Sequence, residues 1–185
     1  MDFYAGKSVL ITGGSSGIGL ALAENLVNKD CRVAILSRQK QLLETAADKL
    51  QAVSGNYHKD ILTIQADVTR RVELDQALGD YTHTHGAPDI VINCAGVAHP
   101  GTFTSLKPEI FDWMMDVNYF GTVNVLKNLV PQMKERKSGV IVNISSIAGF
   151  LGIYGYTAYS ASKFAVTGFT DALRTELKPY GIQIS

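Results

Sequence analysis

Ser146, Tyr159 and Lys163 are residue types able to move a proton to or from a carbonyl oxygen. Tyr159 stands four residues before Lys163, which puts the phenol and the ammonium on one face of a helix. The phenol can give a proton to a carbonyl or take one from an alcohol, and a nearby ammonium favours its phenolate. The same ammonium can also hold a sugar hydroxyl. Ser146 follows the strand-like run Val140–Ser145 and offers a hydroxyl to orient a substrate oxygen and stabilise its developing charge. The amide of Asn118, in a long helical stretch, can hold a water that links Lys163 to solvent. Any one of these residues alone is commonly a cap or a local hydrogen-bonding group; their combination reads as an enzyme.

A second constellation opens the chain: Thr12-Gly13-Gly14-Ser15-Ser16-Gly17-Ile18-Gly19. Glycines at Gly13, Gly17 and Gly19 suit a tight turn, a close backbone approach to pyrophosphate and close helix-to-sheet packing. The helix that follows presents free backbone N–H groups to phosphate. Ser15 and Ser16 either add hydroxyl donors or cap that helix. No Gly-Lys-Ser/Thr follows, so this is not a kinase-type phosphate loop.

The second strand-like run ends in Ser37-Arg38, where an NAD site usually presents a carboxylate to the adenosine ribose. Arginine instead forms charge-assisted pairs with a 2′-phosphate, which points to NADP(H). An Arg38 that only faces solvent is the alternative, and Lys40 is a weaker second contact. Asp67 and Val68 either meet the adenine or belong to a helix-capping turn. Asn93-Cys94-Ala95-Gly96 ends the fourth strand; Asn93 either touches cofactor or ties neighbouring strands together.

The strands that carry these residues are expected at Lys7–Thr12, Cys31–Leu36, Ile61–Ala66, Asp89–Asn93, Val140–Ser145 and Gly181–Ser185. Helices are expected at Gly17–Lys29, Lys40–Val53, Glu73–His85, Pro108–Lys134 and Tyr159–Lys178, with Pro131 bending or ending the fourth. Continuous apolar strands alternating with amphipathic helices predict an α/β chain: a parallel sheet with helices on both faces. One domain spanning residues 1–185 suffices. Lys+Arg and Asp+Glu number 17 each, so no basic excess argues for nucleic acid. Cys31 and Cys94 lack metal-ligand spacing and read as free thiols of a reducing compartment. His83 and His85 lack metal partners, and no catalytic metal is expected. The apolar runs fall short of the ~20 residues a membrane span needs; a cytoplasmic location is expected.

The glycine turn, Asn93-x-Ala95-Gly96, Asn118, Ser146 and Tyr159-x-x-x-Lys163 resemble the motif set of the short-chain dehydrogenases/reductases over essentially the whole chain. The resemblance implies a Rossmann-like, doubly wound, three-layer α/β/α fold and hydride transfer between a nicotinamide cofactor and a ketone/alcohol pair. It makes Asn118, Ser146, Tyr159 and Lys163 the catalytic tetrad. Thr12, Gly13, Ser15, Ser16, Gly17, Ile18, Gly19, Ser37, Arg38, Asp67, Val68, Asn93, Ala95 and Gly96 become cofactor contacts, together with Tyr159 and Lys163. A narrower resemblance, in Met133–Arg136, Thr157–Ala165 and Glu176–Tyr180 as well as Asn93–Gly96, is to the 3-ketodihydrosphingosine reductase branch, which reduces a long-chain ketone with NADPH.

The family continues past its sixth strand with a nicotinamide-contacting loop, a substrate segment and a seventh strand. On that comparison the chain is expected to be C-terminally incomplete and poorly active without that part. His99, Phe103, Ile153 and Tyr154 are candidate lining for an apolar substrate cleft, and Gly149–Gly155 reads either as a mobile segment or as a tight structural turn. The resemblance further implies a homo-oligomer joined through the fourth-to-fifth and fifth-to-sixth crossover helices, with Trp113, Phe120, Phe164 and Phe169 as candidate packing residues. An alcohol or steroid dehydrogenase, and a non-catalytic NADP-binding interaction protein, are the rival readings.

Overall fold

The computed structural model describes residues 3–54 and 61–185. The strands are β1 (Ser8–Thr12), β2 (Arg32–Ser37), β3 (Leu62–Gln65), β4 (Ile90–Asn93), β5 (Gly139–Asn143) and β6 (Ile182–Ile184). They form one parallel sheet in the order β3-β2-β1-β4-β5-β6. The helices are α1 (Gly17–Val27), α2 (Lys40–Val53), α3 (Arg71–His85), α4 (Pro108–Met114), α5 (Gly121–Arg136) and α6 (Thr157–Leu177). This is the three-layer, doubly wound Rossmann-like architecture. The chain reverses its winding between β1 and β4, which opens a crevice at the carboxyl ends of those strands.

Alternation along the strands divides the core in two. Val9, Ile11, Val33, Ile35, Ile90 and Ile92 point to one face, where α1 and α2 cover them with Ala23, Leu26, Val27, Leu43, Ala46 and Leu50. Leu10, Leu36, Val91 and Ile141 point to the other and meet Leu74, Leu78, Val125, Leu129 and Met133 from α3 and α5. Spacings such as Leu43–Ala46–Leu50 and Leu74–Leu78–Tyr81 keep one stripe of each helix buried. Each fully buried leucine contributes about 1.5–3 kcal/mol of transfer free energy.

Pro131 does not end its helix. α5 continues to Arg136, and Met133 beyond the proline is fully buried. Lys137 then closes the helix in the left-handed region (φ 53), its N–H bonding the Met133 and Lys134 carbonyls. Arg136 secures the end by donating to the Ala87 and Pro88 carbonyls, each at 2.8 Å. Packing and these bonds outweigh the one helical bond the proline removes.

The expected helix over Pro108–Lys134 contains a feature that periodicity does not announce. Between α4 and α5, Met115–Phe120 forms a π-helical segment. Such a bulge re-aims side chains within an otherwise continuous helix. Here it carries Asn118 into the interior, where it is 1% exposed.

Candidate active site

The turn between β1 and α1 is shaped by its glycines. Gly13 has φ +68, and a Cβ there would lie 2.9 Å from the backbone of Ala95. A Cβ on Gly19 would press into the Gly13 carbonyl. The turn thus packs against both the β4 loop and the start of α1, leaving the first N–H groups of α1 without helical partners. Ser16 holds the N-cap position without a side-chain capping bond, so its hydroxyl faces the crevice.

Two clefts meet at this turn. One runs over Ser15, Ser37, Arg38, Asp67, Val68 and Ala95. The other runs over Gly17, Ile18, Gly19, Ser145, Tyr159 and Lys163. Gly13, Ser16, Gly96 and Val97 line both, so a continuous groove joins them. Its floor is thin at Gly96, where a Cβ would come within 3.2 Å of Asn118 Oδ1 and 3.6 Å of Lys163 Nζ.

Thr12 and Asn93, both expected as cofactor contacts, are buried and face elsewhere. Thr12 Oγ1 accepts the Cys94 and Ala95 N–H groups at 3.1 Å, tying β1 to the loop after β4. Asn93 Nδ2 donates to Asn143 Oδ1 at 2.8 Å, and Asn143 Nδ2 donates to Thr170 Oγ1 at 2.8 Å. That chain of amides links β4, β5 and α6. At both positions the side chain ties elements of the sheet together.

At the far end, Arg38 Nη1 stands 4.0 Å from Asp67 Oδ2. Asp67 Oδ1 accepts from the Thr69 N–H at 2.9 Å and the Thr69 hydroxyl at 2.8 Å. Asp67 therefore organises its own turn and does not cap α3, whose N-cap is Arg70, while it still lines the cleft. Leu36, Leu42 and Val117 complete the wall there; read along the sequence they are indistinguishable from core residues.

At the near end, Lys163 is 6% exposed and donates from Nζ to the Ile144 carbonyl at 2.8 Å. Its Nζ also lies 5.8 Å from the centroid of the Tyr159 ring. Burial pushes the Lys163 ammonium below its ordinary pKa, while neighbouring Cys94 acts in the opposite sense. Burial likewise pushes the Cys94 thiol up, with Lys163 opposing it. Ser146 caps the short 3-10 turn Ile147–Gly149, its Oγ accepting the Ala148 N–H at 3.1 Å. That bond uses a lone pair and leaves the hydroxyl proton for another acceptor.

Asn118 departs from expectation. Its Oδ1 accepts the Val97 N–H at 2.8 Å, and its Nδ2 donates to the Val97 carbonyl at 3.0 Å and to Ser162 Oγ at 2.8 Å. Both amide protons are engaged, so the amide grips the β4 loop and has no donor for a water. Residue type alone does not mark Val97 and Ser162 as the partners of Asn118.

The loops at the mouth are clasped. Gly101 N–H donates to the Gly155 carbonyl at 2.8 Å, and Gly101 forms an isolated parallel bridge with Tyr156. Ile147, Phe150, Leu151 and Tyr154 are exposed on this rim, Tyr154 at 90%. His99, also expected there, shows no resolved role in the groove wall. Among the described residues no group of three or more His, Cys, Asp or Glu side chains is placed to hold a metal, and no helix is long and apolar enough to cross a membrane.

A parallel sheet with a glycine turn at its switch point, joined by one groove to a Tyr–Lys pair, defines a nucleotide-dependent enzyme scaffold. The short chain dehydrogenase family model matches residues 7–185, and the chain belongs to that family. It is 35% identical over 181 residues to the 3-ketodihydrosphingosine reductase of Bos taurus, covering 97% of this chain and 54% of that protein. The chain thus spans about half the length of that curated relative. The L-sorbose reductase from Gluconobacter frateurii, solved with NADPH and L-sorbose, superposes with a TM-score of 0.90 at 28% identity, over 97% of this chain and 67% of that one. An NAD+-bound xylitol dehydrogenase superposes at 0.93 with 27% identity, over 99% and 69% respectively.

Proposed function

We propose that the protein is an NADP(H)-dependent oxidoreductase that transfers hydride between the cofactor and a ketone/alcohol pair, with residues 1–185 forming one nucleotide-binding domain. The observation that carries this reading is the groove itself, which runs from Arg38 past the glycine turn to Tyr159 and Lys163.

The residues present fit the cofactor. The close approaches at Gly13 and Gly19 pack the turn against Ala95 and against the start of α1, which brings bare backbone to the place a pyrophosphate would occupy. The turn and the first N–H groups of α1 would hold the pyrophosphate. Ser37 and Arg38 would take the 2′-phosphate, Asp67 and Val68 the adenine, and Lys163 the ribose. The Arg38–Asp67 pair is long, at 4.0 Å, with Arg38 exposed, and is worth at most ~1 kcal/mol, so it offers little resistance to a doubly charged phosphate. The L-sorbose reductase, solved with NADPH, supports the same preference by similarity; the xylitol dehydrogenase, solved with NAD+, shows that the shared scaffold alone does not decide it.

When bound, the nicotinamide supplies or accepts hydride at the carbonyl carbon. Tyr159 gives the carbonyl oxygen its proton in reduction and removes it in oxidation. Lys163 holds the resulting phenolate beside its ammonium. Burial loosens the Lys163 proton relative to an exposed lysine, which suits a group that passes protons onward. The Ser146 hydroxyl, oriented by Ala148, donates to the substrate oxygen. Asn118 serves by fixing Val97.

For the substrate, the stretch from Ile144 to Ser162 contains no charged residue, and Ile147, Phe150, Leu151 and Tyr154 are exposed on it. Such a mouth favours a neutral, apolar, lipid-like ketone over a small charged one, in keeping with the similarity to 3-ketodihydrosphingosine reductase. An alcohol or steroid dehydrogenase running in the oxidative direction is the second reading. The half-buried Phe169, with Val123, Leu126, Val130 and Leu173, lines an apolar groove between α5 and α6 that supports a homodimer through those helices. The thiol of Cys94, which forms no disulfide, supports a cytoplasmic location.

The test is NADPH oxidation over short- and long-chain ketones, a 3-keto sphingoid base among them, with NADH as control. Tyr159→Phe should lower kcat by about 10²–10⁴-fold while NADPH binding persists. Turnover that survives Tyr159→Phe would remove the proposed acid/base; NADPH binding without turnover of any ketone would favour a binding role.

A further inference from the structure

We propose that Ser162 is a positioning residue, coupling the loop that walls the cofactor groove to the helix that carries the proton donor; the inference rests on the oxidoreductase reading above.

Ser162 is 0% exposed, so it meets neither substrate nor cofactor. Its Oγ accepts from Asn118 Nδ2 at 2.8 Å and donates to the Tyr159 carbonyl at 2.7 Å. Asn118 in turn holds both backbone groups of Val97, which lines both clefts. A single chain of hydrogen bonds therefore runs from Val97 through Asn118 and Ser162 to Tyr159. Among the described residues, no other side chain supplies the second acceptor that the Asn118 amide uses. Without the hydroxyl, one Asn118 proton is stranded in a dry interior, where an unmet donor is costly. The amide then regains a partner only by moving, and Val97 moves with it.

The same helix turn supplies a control. Ser160 is also buried, at 6%, yet its Oγ has no hydrogen-bond partner among the described residues. Ser→Ala at either position deletes one buried oxygen from α6 and raises helix propensity equally. The two changes differ in the hydrogen bonds removed.

The experiment compares Ser162→Ala, Ser160→Ala and Ser162→Thr with the parent chain, expressing turnover per folded NADPH-binding site. Ser162→Ala is expected to lower kcat and kcat/KM together by about tenfold, equivalent to about 1.4 kcal/mol of lost transition-state stabilisation. The ketone KM should stay within about threefold, and exchange of the Val97 amide hydrogen should accelerate about tenfold. Ser160→Ala should stay within about twofold in each measurement, and Ser162→Thr, which keeps the hydroxyl, should recover most of the turnover. If the added methyl of the threonine prevents folding, Ser162→Cys replaces it as the partial donor, expected between alanine and serine. A Ser162→Ala enzyme within twofold of the parent, or one indistinguishable from Ser160→Ala, would overturn the proposal. A protein extended to the length of its relatives and lacking Tyr159-dependent NADPH oxidation would overturn the oxidoreductase reading instead. In that event Val97 exchange still decides whether Ser162 holds the loop.

Discussion

Arg38 and Asp67 face each other at 4.0 Å across the outer end of the groove, and Thr69 fixes the carboxylate from behind. Arg38 is thereby held at the mouth by a partner too weak to retain it against a phosphate. Arg38→Ala should raise the KM for NADPH by roughly 10–100-fold, as loss of a charge-assisted contact worth about 1.5–3 kcal/mol implies. The KM for NADH should change by less than about threefold. Paired cofactor kinetics check this, and an equal loss for both cofactors would assign Arg38 to the turn and not to the 2′-phosphate.

Gly19 and Gly79 should respond oppositely to alanine. A Cβ on Gly19 collides with the Gly13 carbonyl, so α1 must shift away from the turn; NADPH affinity should fall by more than about tenfold, since one lost phosphate contact costs about 1.5–3 kcal/mol. Gly79 lies inside α3 with nothing within 4 Å of its would-be Cβ. Gly79→Ala should raise stability by about 0.5–1 kcal/mol. Denaturant unfolding and NADPH titration of both variants separate the two effects.

Asp89 makes the fold acid-sensitive. Burial tends to raise its pKa, but hydrogen bonds from the Ser8 N–H and hydroxyl, both 2.9 Å, hold it below the ordinary value with help from Lys7 and Arg136. A carboxyl with a depressed folded pKa contributes stability that is complete above its unfolded pKa, near 3.8. That contribution is lost as pH falls through the lower folded value. Ser8→Ala should reduce stability at neutral pH and flatten its decline between about pH 5 and 2. Parallel pH dependences in the parent and variant would show that Ser8 does not set the Asp89 equilibrium.

The buried amide chain from Asn93 through Asn143 to Thr170 should be costly to interrupt. Thr170→Val keeps the shape of the side chain and removes the acceptor for Asn143 Nδ2. A loss of about 1–3 kcal/mol is expected, read by urea unfolding. A neutral substitution would mean that the Asn143 amide finds another partner.

The layered fold was readable because each strand is a short apolar run and each helix keeps one stripe, as in Leu43–Ala46–Leu50. The groove was readable because glycine turns and the Tyr–Lys spacing are local patterns. The hydrogen-bond partners were not. Asn118 meets Ser162 across 44 positions, and Asn93 meets Asn143 across 50, pairings that no local periodicity encodes. Thr12 and Asn93 have the same polar groups whether they hold a ligand or a neighbouring strand, so only the folded geometry separates those uses. Pro131 left open whether the helix bends or ends, because its intrinsic penalty is local, whereas the burial of Met133 and the bonds of Arg136 that offset it are tertiary.

The clasp between Gly101 and Gly155–Tyr156 has a consequence for anyone redesigning this protein. The two rim segments are more than fifty positions apart in the sequence, yet a backbone hydrogen bond and a parallel bridge join them. A chimera that imports one segment from a relative inherits a mismatched half. Transplanting both together, glycines included, is the exchange that keeps the hydrogen bond and the bridge between them intact.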